Sequence, residues 1–148
     1  MAEFNSGGID ELMLSLAEIA EIPEEVQDEM LLAQAAVVQK AQTQSIETFG
    51  IVDTRKTLLS VKTGKPKWRK KDGVRVVYIT PTGSRRRGGK RGGPPNVTRN
   101  AEILFVNEYG KKGQKARPAI QTANEKSAEA TTQAALEVYD RWLKNKGL

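Results

Sequence analysis

The sequence predicts an α+β protein, and three observations support that prediction. Two segments with apolar residues at helical spacing lie towards the two ends of the chain. Between them lies a middle part rich in β-branched residues and in turn-forming glycine and proline. The 148 residues are enough for one domain, so we expect a single domain over 1–148 with a flexible start at 1–8.

Helices are predicted at three places. The first is short, runs from about Asp10 to Glu21, and has its apolar line at Ile9, Leu12, Leu16 and Ile19. Pro23 suits the first position of a second, longer helix that reaches Thr48, with the apolar line Val26, Met30, Ala33, Val37 and Ala41. The last helix runs from about Pro118 to Lys146 and carries on one face Ala128, Ala135, Tyr139 and Trp142.

The middle of the chain predicts strands and a long loop. Thr57–Val61 and Val74–Thr80 are rich in β-branched residues, so we expect two strands that pair antiparallel. Residues 81–98 contain many glycines, prolines and arginines, which predicts a long mobile basic loop. The apolar segment Ala101–Tyr109 fits either a short buried helix or a strand.

Charge is distributed very unevenly along the chain. Residues 1–54 contain one Lys/Arg and eleven Asp/Glu, residues 55–117 contain nineteen and three, and residues 118–148 contain four of each. The three segment charges of −10, +16 and 0 add to the net charge of +6. The basic middle suits either phosphates or an acidic protein surface.

Composition argues against most enzyme classes. The chain has no cysteine and no histidine, which excludes disulfides, thiolate nucleophiles, an imidazole base and the usual zinc sites. The carboxylates at the start of the long helix fit a solvated acidic face better than an acid–base pair or a cation site; they are Glu24, Glu25, Asp28 and Glu29. We therefore predict no enzyme activity, no catalytic residue, no metal and no cofactor.

No apolar run approaches the length of a membrane span, and Met1–Gly8 lacks the pattern of a signal peptide. We expect a soluble intracellular protein without a membrane partner. The candidate contact residues lie instead in the basic middle. Trp68 stands in a basic run with Lys70, where packing on a sheet rim is favoured over stacking on a nucleic-acid base. The strongest local charge would dock on an acidic protein surface or enter a nucleic-acid groove; it is formed by Arg85, Arg86, Arg87, Lys90 and Arg91.

Three stretches together resemble a known family. The opening Gly8-Ile9-Asp10-Glu11-Leu12 followed by Leu16 is one, and the alanine-rich helix Val26–Thr48 is the second. The third is Phe105-Val106-Asn107-Glu108-Tyr109-Gly110, followed by Ala116-Arg117-Pro118-Ala119 and Ala123. In this order they resemble the small head-to-tail joining proteins of long-tailed bacteriophages and prophages, also described as tail-completion or minor tail proteins. The chain departs from the family at Thr54-Arg55, at Ser60-Val61, at Ala119, where a Phe is common, and in the length of its basic loop.

The resemblance implies a fold and a function. The fold would be a small antiparallel sheet packed by the long helix and the C-terminal helix. The protein would have no catalytic activity. Several copies would form an oligomeric ring at the junction of capsid connector and tail, in the neck or at the tail end of the virion, after synthesis in the cytoplasm of the bacterial host. Partners would be other phage head–tail or tail proteins and further copies of the chain, which would join either in isolation or only upon assembly. The basic loop would contact either the phage DNA or another protein.

The resemblance adds Glu108, Tyr109 and Arg117 to the interface candidates. An acidic face beside a basic face suits a ring, because a heterologous interface joins two unlike surfaces. The alternative function is a basic nucleic-acid-binding module that uses residues 62–91 as its phosphate footprint.

Overall fold

Two long helices form the largest part of the fold. The computed structural model describes residues 22–51, 55–87 and 96–147; the predicted helix Asp10–Glu21 and the flexible start at 1–8 lie outside them. The helices are α1 (Glu24–Thr48), α2 (Arg55–Leu58), α3 (Asn100–Tyr109) and α4 (Ala119–Asn145). The two long helices thus lie where the sequence predicts them. The segment Ala101–Tyr109, for which a helix and a strand were both expected, is a helix.

The long helices α1 and α4 pack antiparallel. Near the end of α1 the Ser45 Oγ donates to the carbonyl of Ala119 at 2.7 Å, and Gln42 Nε2 donates to Asn124 Oδ1 at 2.9 Å. At the other end Arg141 forms an ion pair with Glu29 at 3.2 Å. Small residues of α4 allow the close approach; the buried ones are Ala119, Ala123, Ser127 and Ala135.

The buried faces of both helices agree only in part with the predicted ones. On the predicted face of α4, Ala135 is buried and Tyr139 and Trp142 are half-buried, whereas Ala128 is exposed. In α1 the fully buried residues are Ala35, Gln42 and Ile46, whereas the predicted apolar line is only partly buried. The reason is that the contact uses small and polar residues, which a pattern of large apolar side chains does not reveal.

Within the described ranges the strands form three separate two-stranded antiparallel pairs. They are β1 (Val61–Thr63), β2 (Lys67–Arg69), β3 (Val74–Val76), β4 (Ile79–Pro81), β5 (Ser84–Arg87) and β6 (Asn96–Arg99). Strand β1 pairs with β4, β2 with β3, and β5 with β6. Along the sequence, the β2–β3 hairpin is thus inserted between the two strands of the first pair. The mixed α+β class is confirmed, with three small ladders where one small sheet was expected.

Both predicted strands have wrong boundaries. The segment 57–61 begins as the helical turn α2, because the Ser60 hydroxyl and amide both donate to the carbonyl of Thr57, at 2.6 and 3.2 Å. The segment 74–80 is two strands, since Val76 pairs with Lys67 whereas Ile79 pairs with Thr63. The chain changes its partner strand between these residues.

The prediction of a mobile loop over 81–98 is wrong for its described parts. Residues 84–87 and 96–99 pair as β5 and β6, in a register that joins Ser84 to Arg99 and Arg87 to Asn96. Arg85 is buried, and its guanidinium donates to the Thr57 hydroxyl. The backbone ladder and this buried contact order a segment whose composition predicts a loop; residues 88–95 lie outside the description.

The core lies where the end of α1 meets the start of α4. Its buried members are Ile46, Ile51, Val61, Leu104 and Ala119, and partly buried Phe49, Leu58, Ile79 and Ile120 pack against them. Gln39 of α1 forms two hydrogen bonds with strand β1. Its Nε2 donates to the carbonyl of Val61 at 3.0 Å, and its Oε1 accepts from the Thr63 hydroxyl at 2.7 Å. Across the described ranges, no helix has the length and apolar character needed to cross a membrane.

Candidate functional site

The predicted basic arm does not form one exposed patch. Arg85 is buried against Thr57, whereas its neighbour Arg86 is exposed. This follows from the pleat, because successive side chains of a strand point to opposite faces. The side chain of Arg87 and all of Lys90 and Arg91 lie outside the described part of the chain.

The β2–β3 hairpin separates Trp68 from its basic neighbours. Lys67 and Arg69 contact Tyr78: the Lys67 Nζ lies 4.7 Å from the ring centroid, and Arg69 Nη1 lies 3.5 Å from the hydroxyl. Trp68 stands between them in the strand and pairs across the hairpin with Arg75, so its side chain projects from the other face. A base stacked on Trp68 would therefore not meet Lys67 and Arg69 on the same face.

Arg75 joins the hairpin to the start of α1. Its Nε and Nη2 donate to the two carboxylate oxygens of Asp28 at 2.5 and 2.7 Å, and its Nη1 lies 3.1 Å from Glu24 Oε2. The hydrogen bond from Arg75 lowers the pKa of Asp28, and the hydrogen bond to Asp28 raises the pKa of Arg75. Two of the four carboxylates at the start of α1 thus serve to attach the hairpin.

A groove of about 370 Å³ lies between the start of α1 and this hairpin. We call it the Trp68 groove, and its walls are mainly apolar: Ile22, Gln27, Met30, Leu31, Gln34, Trp68, Gly73, Val74 and Arg75. Trp68 is 55% exposed and Val74 is 42% exposed. Lys70 and its neighbour Lys71 are exposed in the turn that closes the hairpin.

Glu108 has a structural contact in this fold. Its two carboxylate oxygens accept hydrogen bonds from the backbone amides of Ile120, at 2.9 Å, and Gln121, at 2.7 Å. These amides belong to the first turn of α4, which has no acidic residue of its own. A carboxylate at this position satisfies donors that a helix start leaves free and complements the helix dipole.

Asn107 and Gly110 hold the connection between α3 and α4. Buried Asn107 donates through Nδ2 to the carbonyl of Ile103 at 2.7 Å, and its own carbonyl accepts from the amide of Arg117 at 2.6 Å. Gly110 has a φ of 77°, and a Cβ built there would lie 2.9 Å from both the Ala116 nitrogen and the Gln114 carbonyl oxygen. Only glycine fits this position.

Phe105 and Tyr109 are the residues of this stretch that project into solvent. They are 64% and 72% exposed, and their ring centroids lie 4.8 Å apart on one side of α3. Their spacing of four residues places them together on the helix surface. We call them the aromatic pair.

The predicted candidates are thus distributed over separate places. Arg117 is half-buried, and its Nη1 lies 3.5 Å from the carbonyl of Phe49, which makes it part of the joint between α1 and α4. Tyr109, Lys70 and Arg86 remain exposed candidates. Sequence reasoning missed Phe105, although its four-residue spacing from Tyr109 was a usable signal, and it missed Arg75, whose partners are distant in sequence.

The described residues contain no group of three or more acidic side chains placed to hold a metal ion. Three surfaces of the described part of the chain stand out: the aromatic pair, the Trp68 groove and the exposed lysines of the hairpin. All three are suited to binding another molecule by contact. Comparisons of the chain with models of protein families, with curated proteins and with solved structures found no match.

Proposed function

We propose that the protein is a structural component of a tailed bacteriophage or prophage, of the tail-completion or head–tail joining kind, that assembles as an oligomeric ring. Its partners are further copies of the chain and other head–tail or tail proteins in the neck or tail of the virion. The observation that carries the proposal is the exposed aromatic pair in the stretch Phe105–Gly110, which is also the most telling part of the family resemblance.

The fold accounts for several members of this stretch. Asn107 and Gly110 hold the α3–α4 connection, and Glu108 caps α4. The rings of Phe105 and Tyr109 do not enter the core, and exposing them to water costs free energy that burial at an interface would recover. Aromatic side chains in this setting are typical of the centre of a protein interface.

Charge supports a contact between unlike surfaces. Asp28 and Glu29 already form ion pairs within the chain, whereas exposed Lys70, Lys71 and Arg86 form none with another described residue. The hairpin turn and strand β5 therefore present positive charge that no other described residue neutralises. An acidic surface on a neighbouring subunit or partner would complement it.

Self-assembly is the test of the proposal. Sedimentation velocity and negative-stain electron microscopy over a rising concentration series should reveal ring-shaped oligomers of the purified chain. Phe105→Asp with Tyr109→Asp should abolish them, because two buried rings become solvated charges. The control is Leu136→Asp, which places one charge on an exposed leucine of α4. A chain that stays monomeric throughout, or assembly that survives the double variant, would contradict the proposal.

A second candidate function is nucleic-acid binding, which is favoured by exposed lysines in the hairpin turn and in the chain that leads to it: Lys65, Lys67, Lys70 and Lys71. With Trp68 on the other face, contacts would be made mainly to phosphates. Fluorescence anisotropy with labelled duplex and single-stranded DNA tests this. Binding that uses about six phosphates should weaken by on the order of a thousandfold from about 50 to 200 mM salt, and Lys70→Glu with Lys71→Glu should weaken it at every sequence. Feeble binding at low salt would exclude this candidate.

A further inference from the structure

We propose that the Trp68 groove is the docking site for the chain's own residues 9–21. The proposal does not depend on the function proposed above. It rests on the apolar character of the groove, on where the preceding chain enters, and on the pattern and charge of that segment.

The groove presents apolar surface that another segment would cover. Met30 and Leu31 form its helical wall, and Trp68 with Val74 forms its hairpin wall. Trp68 remains more than half exposed, although a tryptophan gains much free energy when its ring is covered. The volume of about 370 Å³ is large enough for several aliphatic side chains.

The chain enters at this groove. Ile22 is the first described residue, and it is itself part of the groove lining. The residues that precede it are therefore tethered at the edge of the groove. Such a tether gives a short segment an effective concentration on the order of millimolar, which favours it over any free competitor.

The segment has the residues that the groove would accept. Its sequence places Ile9, Leu12, Leu16 and Ile19 at three- and four-residue steps, which on a helix puts them on one face. A helix of thirteen residues would be about 20 Å long. Helix-in-groove docking uses this spacing of apolar anchors.

Charge favours the same placement. Residues 1–21 contain five Asp/Glu and no Lys/Arg. The hairpin that forms one wall carries exposed Lys70 and Lys71 in its turn. On the opposite wall Glu24 and Asp28 are already paired with Arg75, which reduces the repulsion that they would exert on an acidic segment.

Tryptophan fluorescence of the full chain tests the docking. A Trp142→Phe background leaves Trp68 as the reporter, since the chain has two tryptophans. Leu12→Asp with Leu16→Asp should shift the Trp68 emission to the red and remove its protection from acrylamide, because charges on the apolar face eject the segment. The matched control is Ala17→Asp, which adds a charge beside the apolar line and should keep most of the protection.

The outcomes separate the possible occupants. Unchanged emission and quenching in the double variant, with the helical content verified by circular dichroism, would overturn the proposal. Protection that is lost when the unmodified background protein is diluted would show that another copy fills the groove, which also overturns docking of the chain's own segment. Protection that is independent of concentration and weakened by salt is the expected result.

Discussion

Gly110 is the residue on which the turn between α3 and α4 depends. Its φ of 77° belongs to the region that glycine adopts freely, and its α-carbon faces the backbone of Gln114 and Ala116 at close range. Gly113, three residues later, has a φ of 83° but has open space where a Cβ would lie. Substitutions at these two glycines therefore distinguish the cost of backbone strain from the cost of steric overlap.

Alanine at these two positions should cost different amounts of stability. Gly113→Ala introduces the conformational penalty alone, about 1 kcal/mol. Gly110→Ala adds overlap with backbone atoms that cannot rotate away, and we expect a loss of about 3 kcal/mol. Urea unfolding followed by circular dichroism measures both. Equal losses for the two variants would contradict the close contact described at Gly110.

Glu108 should stabilise the protein through the start of α4. Glu108→Gln keeps an acceptor for one amide but loses the favourable charge, and we expect a loss of about 0.5 kcal/mol. Glu108→Ala leaves both amides without this partner and should cost about 1 kcal/mol. Glu129→Gln, at an exposed position of α4, is the control for one lost negative charge. A loss as large in the control would show that net charge, and not capping, is responsible.

At the scale of elements, the close packing of α1 on α4 depends on small side chains. Ala119 and Ala123 are almost completely buried, and the Ser45 hydroxyl reaches the carbonyl of Ala119. Gln42 is buried in the same contact and is satisfied by Asn124. A larger residue in this seam would have to push the two helices apart.

Leucine at Ala123 should therefore destabilise the helix pair. We expect Ala123→Leu to lower the free energy of unfolding by about 2 kcal/mol. Ala128→Leu, at an exposed position of the same helix, should change it by less than about 0.5 kcal/mol. Thermal and urea unfolding of the two variants provide the measurement. A larger loss for Ala128→Leu would contradict the buried position of Ala123 and the exposed position of Ala128.

The elements were predictable to the extent that their signals are local. Pro23, Gly50 and Pro118 mark helix ends within a few residues, so both long helices were predicted almost to their observed limits. Strand boundaries depend on partners distant in sequence, such as Thr63 with Ile79, and the predicted strand boundaries were wrong. The residues of the candidate site were harder to predict than the elements, because neighbouring residues of the same type differ in burial. Arg85 is buried, whereas Arg86 is exposed.

At the scale of the whole molecule, much of the opposite charge is neutralised within the chain. The acidic start of α1 lies against the basic hairpin through Arg75, and Glu29 meets Arg141 of α4. Segment charges read from sequence therefore overstate the acidic surface that is left for a partner. The basic surplus on the hairpin persists, since the chain has more basic than acidic residues there.

Attachment of the hairpin should depend on pH through Asp28. Its pKa is held below the usual 3.8 by Arg75, so the folded chain binds fewer protons there than the unfolded chain. This stabilisation is complete above about pH 5 and is lost as the pH falls through the lowered pKa. The stability difference between the native protein and Asp28→Asn should therefore shrink on acidification from about pH 5 to 3.

Urea unfolding between about pH 5 and 3 measures this change in the stability difference. The control for removal of one carboxylate is Asp140→Asn, at an exposed position of α4. A difference between native protein and Asp28→Asn that does not change with pH would contradict the ion pair with Arg75. Hydrogen exchange of the β2–β3 amides gives a local readout, because loosening should be confined first to the hairpin.

The position of the core gives the helix pair a mechanical property. The core holds α1 at Ile46, whereas the hairpin is tied to the same helix at Asp28, about 27 Å away along the axis. The hydrogen bonds of Gln39 with Val61 and Thr63 extend the fixed part of α1 towards the hairpin, which leaves an arm of about 16 Å between Gln39 and Asp28. A tilt of about 10° at Gln39 would carry the attachment point of the hairpin through about 3 Å, so a molecule that binds the hairpin acts on the core through this arm.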